Sequence, residues 1–538
     1  MESNYQSKTL NHLGLISGMC RELELVECID QLLPRESIDK IVSSGEGVLA
    51  MILNGLGFVN QRLYLTEKFF EDKPVDRLIS PHLEAKHLND DCLGRLLDNI
   101  YDYGCSRFYS QIISHCYPLM GIKNEIGHMD ITNFHLHGAY LDQDLDGISI
   151  ASGFSKDHRP DLVQASLLLI TSNKGRIPLL MRPLSGNKEE GKAYEETLKD
   201  HIAQLEISTG FSFVVIDSKG YNQSILKEVA KNKSMRWLSR VPSTIGLVND
   251  LIDTVELDQL SELEEGYSYL SLCSLYAGVP QRWILIHSAG LEEKKQLSIT
   301  KQIEKELEKK GKELKKLLKK TFSCQQDAEQ ALSQFQSSLK SIEVSPIGKI
   351  EKNKRYLKRG KPTENTPYEW EYSIQASLQI NQEIKEIKLK RAGFFVLASN
   401  ELDQEVLPNS ELLTEYKHQD GCEKGFRFMK DPNVVGSSLF LNKNTRIEAL
   451  LTVMTLCLFI YTCLEYKIRE KLEKNPEVFF KNQKGKLTRK PTAKWVFHCF
   501  VGIHLLIVNK ENELVLNLKE MHKKLLDLMG KQYWIYYS

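Results

Sequence analysis

Three carboxylates, far apart in this 538-residue chain, are the side chains best suited to chemistry at phosphorus. Asp130 lies in the apolar run MDITNF, Asp217 closes the run FSFVVID, and Glu423 lies in EYKHQDGCEKGFRFMKDP. Hard oxygen ligands suit Mg²⁺ or Mn²⁺, and two such ions roughly 3.5–4 Å apart activate an attacking oxygen and stabilise a leaving one. A single aspartate at a strand is more often an ordinary turn or cap residue. The neighbours of Glu423 carry more information, in the pattern Tyr416-x2-Gln419-x3-Glu423-x6-Lys430. Spacings of four and three put Glu423, Arg427 and Lys430 on one face of a helix, a carboxylate beside phosphate-binding cations. Tyr416 and Gln419 would add neutral hydrogen bonds to phosphate oxygens. On spacing alone, a surface helix with an ordinary ion pair fits equally well.

Other residues have chemistry of their own. His135 and His137 form an HxH, with His128 upstream, and on a strand two such residues face one side. A zinc site needs further ligands that the neighbouring sequence does not offer, so satisfied or substrate-facing histidines are the expectation. Lys156, His158 and Arg159 make SKDHRPD a polar loop suited to phosphate. Residues 301–320 carry nine lysines against four glutamates, and KIEKNKRYLKRGK follows Gly348. Formal net charge is zero, so any cationic surface must come from this kind of local segregation. The lysine-rich segment reads first as a solvated amphipathic helix, with salt-dependent phosphate contact compatible.

The elements that must position these residues follow from composition and periodicity. With 41% hydrophobic and 26% charged residues the chain has the balance of a globular protein, and at roughly 100–200 residues per domain it is long enough for about three domains. Eleven cysteines without a CxxC pair, and a polar amino terminus, predict reduced thiols in a cytoplasmic protein. The apolar run Ala449–Leu464 is shorter than the ~20 residues that cross a bilayer and contains Thr452, Thr455 and Thr462, so a buried helix and no membrane are expected.

The fold class expected is mixed α/β. Residues 1–120 show helical spacing throughout and read as an all-α domain. Residues 121–243 read as three antiparallel strands, including ISIASGF, then a helix over 188–205, the strand ending at Asp217, a helix at NQSILKEVAKN and a strand at MRWLSRVP, in the order β-β-β-α-β. Residues 244–400 read as an insertion holding the Lys/Glu-rich helix, a polar linker and strands near Tyr372–Leu378 and Gly393–Leu397. Residues 401–538 return to helix, through Glu423 and a long apolar helix from Arg446.

In this order, LGLISGMCRELELVECIDQLLP, MDITNFHLHG, GFSKDHRPDL, PLLMRPLSGN, VVIDSKGY, RVPSTI, CEKGFRFMKDP and RIEALLTVMTL make the chain resemble the DDE transposases of bacterial insertion sequences, in the branch with a Tyr-x2-Arg-x3-Glu-x6-Lys motif. The resemblance implies a ribonuclease-H-like core with Asp130, Asp217 and Glu423 as catalytic metal ligands for two Mg²⁺ or Mn²⁺ ions, interrupted by a β-rich insertion. It implies phosphate contacts from Tyr416 and Lys430. Gln419 stands where the motif has arginine, so a neutral donor replaces a charged one unless Arg427 substitutes. It further implies cleavage at the terminal inverted repeats of an element, joining to target DNA, a homodimer on DNA, and end recognition by the helical residues 1–120. The alternatives are a nuclease of the same core that cuts without joining, and an inactive DNA-binding protein.

Overall fold

The computed structural model describes residues 5–34, 40–58, 63–123, 126–136, 146–153, 159, 161–231, 235–357, 361, 363–431, 441, 443–509 and 512–538. The fold is mixed α/β. It divides into two compact units, one of Met1–Ser239, Leu275–Gln281 and Ser399–Ser538, the other of Arg240–Ser274 and Arg282–Ala398.

The first unit is built on strands β1 (Ile126–Leu136), β2 (Val163–Ser172), β3 (Pro178–Ser185), β4 (Phe213–Ile216) and β5 (Arg236–Val241), in the order β3-β2-β1-β4-β5. Pairing is antiparallel for β1–β2 and β2–β3, and parallel for β1–β4 and β4–β5. The central strands are near-continuous apolar runs because both of their faces are covered. Helix Gln223–Lys231 makes the crossover that the parallel β4–β5 pair requires. The tight β2–β3 turn puts Gly175 at φ +76° and Arg176 at φ +56°, and the Ser172 N–H closes it on the Ile177 carbonyl at 2.8 Å. QASLLLITSNKGRIPLLMRPL is therefore two strands, whereas the described residues of ISIASGF form no strand, Ala151 making an isolated bridge with Gln164.

A 31-residue helix, Asn444–Lys474, forms the interior of this unit, packing against Leu13–Glu22, Ser44–Leu56, Asp90–Tyr103 and Cys105–Leu119. It is long and apolar enough to span a membrane, and its apolar window is largely buried by these neighbours. Its interior threonines are satisfied locally, Thr455 and Thr462 each donating at 2.8 Å to the carbonyl four residues back. The amino-terminal region departs from the all-α expectation. Tyr5–Thr9 is a strand paired antiparallel with His504–Val508, which pairs in turn with Asn512–Leu516. A short polar segment whose partner lies about five hundred residues away carries no local signature of a strand.

In the second unit, strands Phe394–Ser399, Val279–Ser288, Tyr267–Tyr276 and Ser261–Glu264 follow one another across a sheet. Helix Ala289–Leu317 is the Lys/Glu-rich segment, with Ile303 and Leu314 buried. The expected polar linker after it is instead ordered structure. Helix Gln325–Ser337 packs Ala328 and Leu332 against a long hairpin of Ile342–Tyr356 and Tyr368–Ile380. Its apolar positions, Ala328, Ala331, Leu332 and Phe335, keep helical spacing but are few among glutamines and serines, which is why composition alone hides it.

Candidate active site

Strand register brings the first two carboxylates together. In the parallel β1–β4 ladder Met129 stands opposite Ile216, so one residue further on Asp130 and Asp217 are level. Level residues on neighbouring strands point to the same face of a sheet. Asp130 accepts the Ile131 N–H at 2.7 Å through Oδ1. Asp217 leaves the strand by capping the turn Ser218–Gly220, accepting from the Ser218 N–H and, at 3.1 Å, its hydroxyl. Tyr194, from helix Glu190–Thr209, is buried close by. Burial pushes its phenol well above the usual range, and the charges of Asp130, Glu190 and Asp217 push it further.

The third carboxylate arrives on helix Asp420–Met429, which is held by the residue before it. Cys422 is fully buried, its Sγ donating to the His128 carbonyl at 3.0 Å and lying 3.2 Å from Thr171 Oγ1. Burial and then the nearby Asp130 and Glu423 charges raise this thiol, so it stays a neutral hydrogen-bonding group. Gly425 lies one turn on, where a Cβ would stand 3.0 Å from Leu458. Small residues at 421, 422 and 425 thus let the helix dock closely, with Phe426 and Met429 completing the buried face. Phe428 turns aside, 4.5 Å from Tyr461 between ring centroids.

Tyr416 and Gln419 do not continue that helix. Tyr416 ends the preceding helix, Asn409–Lys417, and Gln419 stands at the break, where His418, Gln419 and Gly421 make the tighter three-residue bonds that stop a helix. The Asn409–Lys417 helix is clamped by a buried pair, Glu415 with His128 at 3.5 Å, and by Asn173, which donates to Glu415 at 3.4 Å. Burial works to raise Glu415, while His128, Asn173 and His418 more than offset it and leave its carboxyl lowered. His128 therefore serves as an anchor for this helix.

These elements border an open cavity of about 1050 Å³ lined by Asp130, Asp217, Tyr416, Gln419, Glu423, Arg427 and Lys430. Lys417, Asp420, Phe426 and Asp431 line it as well, and nothing in their sequence context singles them out. Asp420 pairs with Arg176 at 3.3 Å and with Lys424, and Asp431 with Lys494 at 2.7 Å. Glu423 and Arg427 are exposed; Lys430 is half-buried, its Nζ 6.0 Å from the Phe134 ring. All-oxygen donors are the right chemistry for a hard divalent cation. The three acids share the cavity without closing on one point, and among the described residues no group of three His, Cys, Asp or Glu side chains is close enough to hold a metal ion.

Two of the remaining candidates, Arg159 and His135, are among the described residues. Arg159 is engaged by Asp161 through two bonds of 2.9 and 2.7 Å and is not among the cavity-lining residues. Lys156, His158 and His137 lie outside the described residues, and His135 is half-buried on β1. Cys422, Gly425 and Glu415, which sequence reasoning missed, are anchors of the site, as is His128, which it named without this role. A Gly-Cys pair followed by glycine four residues after the first is the one signal that would have suggested a closely docked helix face.

Residues 5–114 match a family model described as a domain of unknown function, DUF4277. No curated protein matches the chain. Among solved structures, a cryo-EM piggyBac transposase synaptic complex with hairpin DNA is similar at a TM-score of 0.37 and 9% identity, over 93% of this chain and 83% of that one. A likeness at that level does not define a fold.

Proposed function

We propose that this protein is a DNA transposase that cuts at the ends of its own element and joins them to target DNA by divalent-metal-dependent phosphoryl transfer. The observation that carries the reading is the single cavity lined by Asp130, Asp217 and Glu423 together with Tyr416, Gln419, Arg427 and Lys430. Residues on or at the ends of two strands and two helices, three hundred positions apart in sequence from Asp130 to Lys430, line one cavity. In this reading the β3-β2-β1-β4-β5 sheet and its flanking helices are a ribonuclease-H-like core.

Asp130 and Asp217, level on parallel strands, and Glu423 are the residues that would hold two Mg²⁺ or Mn²⁺ ions, drawing closer than they stand in this structure to do so. When bound, the ions would activate the attacking oxygen and stabilise the leaving oxygen of an in-line displacement. Arg427 and Lys430 bind the scissile phosphate by charge, and Tyr416 and Gln419 orient it by neutral hydrogen bonds. Gln419 cannot contribute charge, so Arg427 carries the part of the motif's arginine. Cys422 acts through Glu423, fixing where that carboxylate enters the cavity. The protein works as a cytoplasmic homodimer pairing two element ends, with the helical amino-terminal region recognising the terminal repeats.

The test is to incubate the full chain with DNA carrying its element ends and Mg²⁺, and to separate nicked from joined products. Nicking and joining are expected, and Asp130→Ala, Asp217→Ala and Glu423→Ala should each abolish both. If all three variants still cut, the site is wrong. Cutting without joining would make the protein a nuclease, and binding without cutting an inactive DNA-binding protein.

A further inference from the structure

The hairpin of the second unit carries a surface that the cavity chemistry does not use. Its register pairs Lys352 with Tyr372, Lys354 with Trp370 and Tyr356 with Tyr368, so these six side chains alternate along one face of a two-stranded ribbon. At the root, the same face is apolar: Ile350 opposes Ile374, and both pack with Leu332 of helix Gln325–Ser337. Further out the face is uncovered, and Tyr356, Tyr368 and Trp370 are 41%, 42% and 40% exposed. The lysines lie over the rings, Lys352 Nζ at 4.1 Å from the Trp370 centroid and Lys354 Nζ at 4.4 Å from that of Tyr368. Tyr368 meets Trp370 edge-on at 5.3 Å. The opposite face is of a different kind, with Arg355 paired to Glu371 at 2.9 Å and Asn353 bonded to Ser373.

We propose that this face, Lys352, Lys354, Tyr356, Tyr368 and Trp370, binds single-stranded DNA. Exposed aromatic rings interleaved with cations are the combination that unpaired nucleotides need: a π-face for each base and a charge for each phosphate. Charge complementarity favours a polyanion, since the hairpin residues 349–371 contain seven Lys and Arg against four acids, Glu351, Glu364, Glu369 and Glu371, and both charged groups on this face are lysines. A duplex hides its base faces and would use only the lysines; an unpaired strand uses both. The lysines resting on the rings do not block this. An exposed cation–π contact is weaker than base stacking on an aromatic side chain, so a base displaces the ammonium, which then turns to the phosphate. The inference does not depend on the carboxylates of the cavity.

The test measures binding of a labelled oligothymidine strand to the full-length protein by fluorescence anisotropy, with no divalent cation present so that cutting plays no part. Trp370→Ala should weaken binding by about tenfold, the order of one base stack removed, while Trp370→Phe retains most of the affinity. Lys352→Gln with Lys354→Gln should reduce the slope of log affinity against log salt by about 0.7 for each phosphate no longer neutralised. Should Trp370→Ala perturb the hairpin, as read by circular dichroism, the Phe variant and the lysine pair decide, since neither touches the Ile350–Ile374 root. Unchanged affinity and salt slope in these variants would overturn the proposal and leave the ladder a cross-strand packing device. Tighter binding of a duplex of equal length, or of an oligouridine strand, with the same dependence on Trp370, would overturn the assignment to single-stranded DNA. Loss of cleavage with this binding intact would count against the transposase reading alone.

Discussion

The acidic cavity and the basic hairpin both place charge beside aromatic rings, yet they are supported in opposite ways. Around the cavity three of the elements that carry polar groups are held from behind: Asp217 by its own turn, the Glu423 helix by the buried Cys422, and the Tyr416 helix by the Glu415–His128 pair. Along the outer hairpin the lysines and rings support only one another, over a root that is apolar. Chemistry at one phosphorus demands placement to a fraction of an ångström, and buried anchors supply it. A flexible strand of nucleotides needs only a repeating pattern of rings and cations, which a two-residue period gives without support from behind. The difference predicts where substitutions change activity, where they change stability, and where they change neither.

The largest effect is expected at Asp130. Asp130→Asn should lower cleavage by on the order of 10³-fold or more, as loss of a central electrostatic group does. It should also leave the fold slightly more stable in chelator, by a few tenths to about 1 kcal/mol, because two like charges no longer stand level on neighbouring strands. Added Mg²⁺ should raise the melting temperature of the wild type and not of this variant, since a ligand that binds only the folded state stabilises it. A wild type whose melting is indifferent to Mg²⁺ would break the cation-binding side of the comparison.

Next comes the docking of the Glu423 helix. Gly425→Leu introduces a side chain where even a Cβ stands 3.0 Å from Leu458, and overpacking of this kind costs about 1–3 kcal/mol. Because the strain falls on the helix that carries Glu423, cleavage should fall as well while the strand acids stay in place. Thermal melting beside a cleavage assay separates the two, and a variant as stable and as active as the wild type would show that close docking does not set the position of Glu423.

How legible this was in the sequence depends on how local each signal is. The β-β-β-α-β order could be read from apolar runs and turn residues, but one strand was assigned to ISIASGF, because the turn at Gly175 and Arg176 that divides QASLLLITSNKGRIPLLMRPL into β2 and β3 went unread. The candidate acids were found because their signals are local, Asp217 at a strand end and Glu423 within its motif. The level placement of Asp130 and Asp217 is a matter of register, which no single run contains. His128 was read only as a histidine satisfied or facing substrate, and the anchor it forms was not legible because its partner, Glu415, lies 287 residues away. The Tyr5–Thr9 strand and the Gln325–Ser337 helix were missed for want of apolar residues, since the first pairs by backbone and the second buries little more than Ala328 and Leu332.

A smaller effect is expected where the scaffold beneath the cavity meets solvent. Asp98 accepts two bonds of 2.7 Å from Arg446, joining helix Asp90–Tyr103 to the long helix. The Arg446 guanidinium holds the Asp98 carboxyl below its usual range. A depressed carboxylate contributes stability that is present above the unfolded pKa of about 3.9 and lost as pH falls through the folded value. The pair is about a third exposed, so Asp98→Asn should cost no more than about 1 kcal/mol at neutral pH. The gap between variant and wild type should close below about pH 4, as Asp98 itself becomes neutral. A gap that persists into acid would mean that the aspartate acts through packing.

The smallest stability effect belongs to the residue expected to matter most for the hairpin's binding. Trp370 is half out of the protein, and what its ring gives the fold is one edge-on contact with Tyr368 and the lysines above it. Exposed cross-strand and cation–π contacts are each worth a few tenths to about 1 kcal/mol, so Trp370→Ala should leave thermal melting nearly unchanged. Set against Gly425→Leu, the two variants form a crossed pair. One should lose stability and cleavage while keeping the affinity for a single strand, and the other should lose that affinity while keeping stability. If Trp370→Ala instead melts several degrees early, the ring is part of the hairpin's own support, and the contrast between a braced cavity and an unbraced binding face fails at its second half.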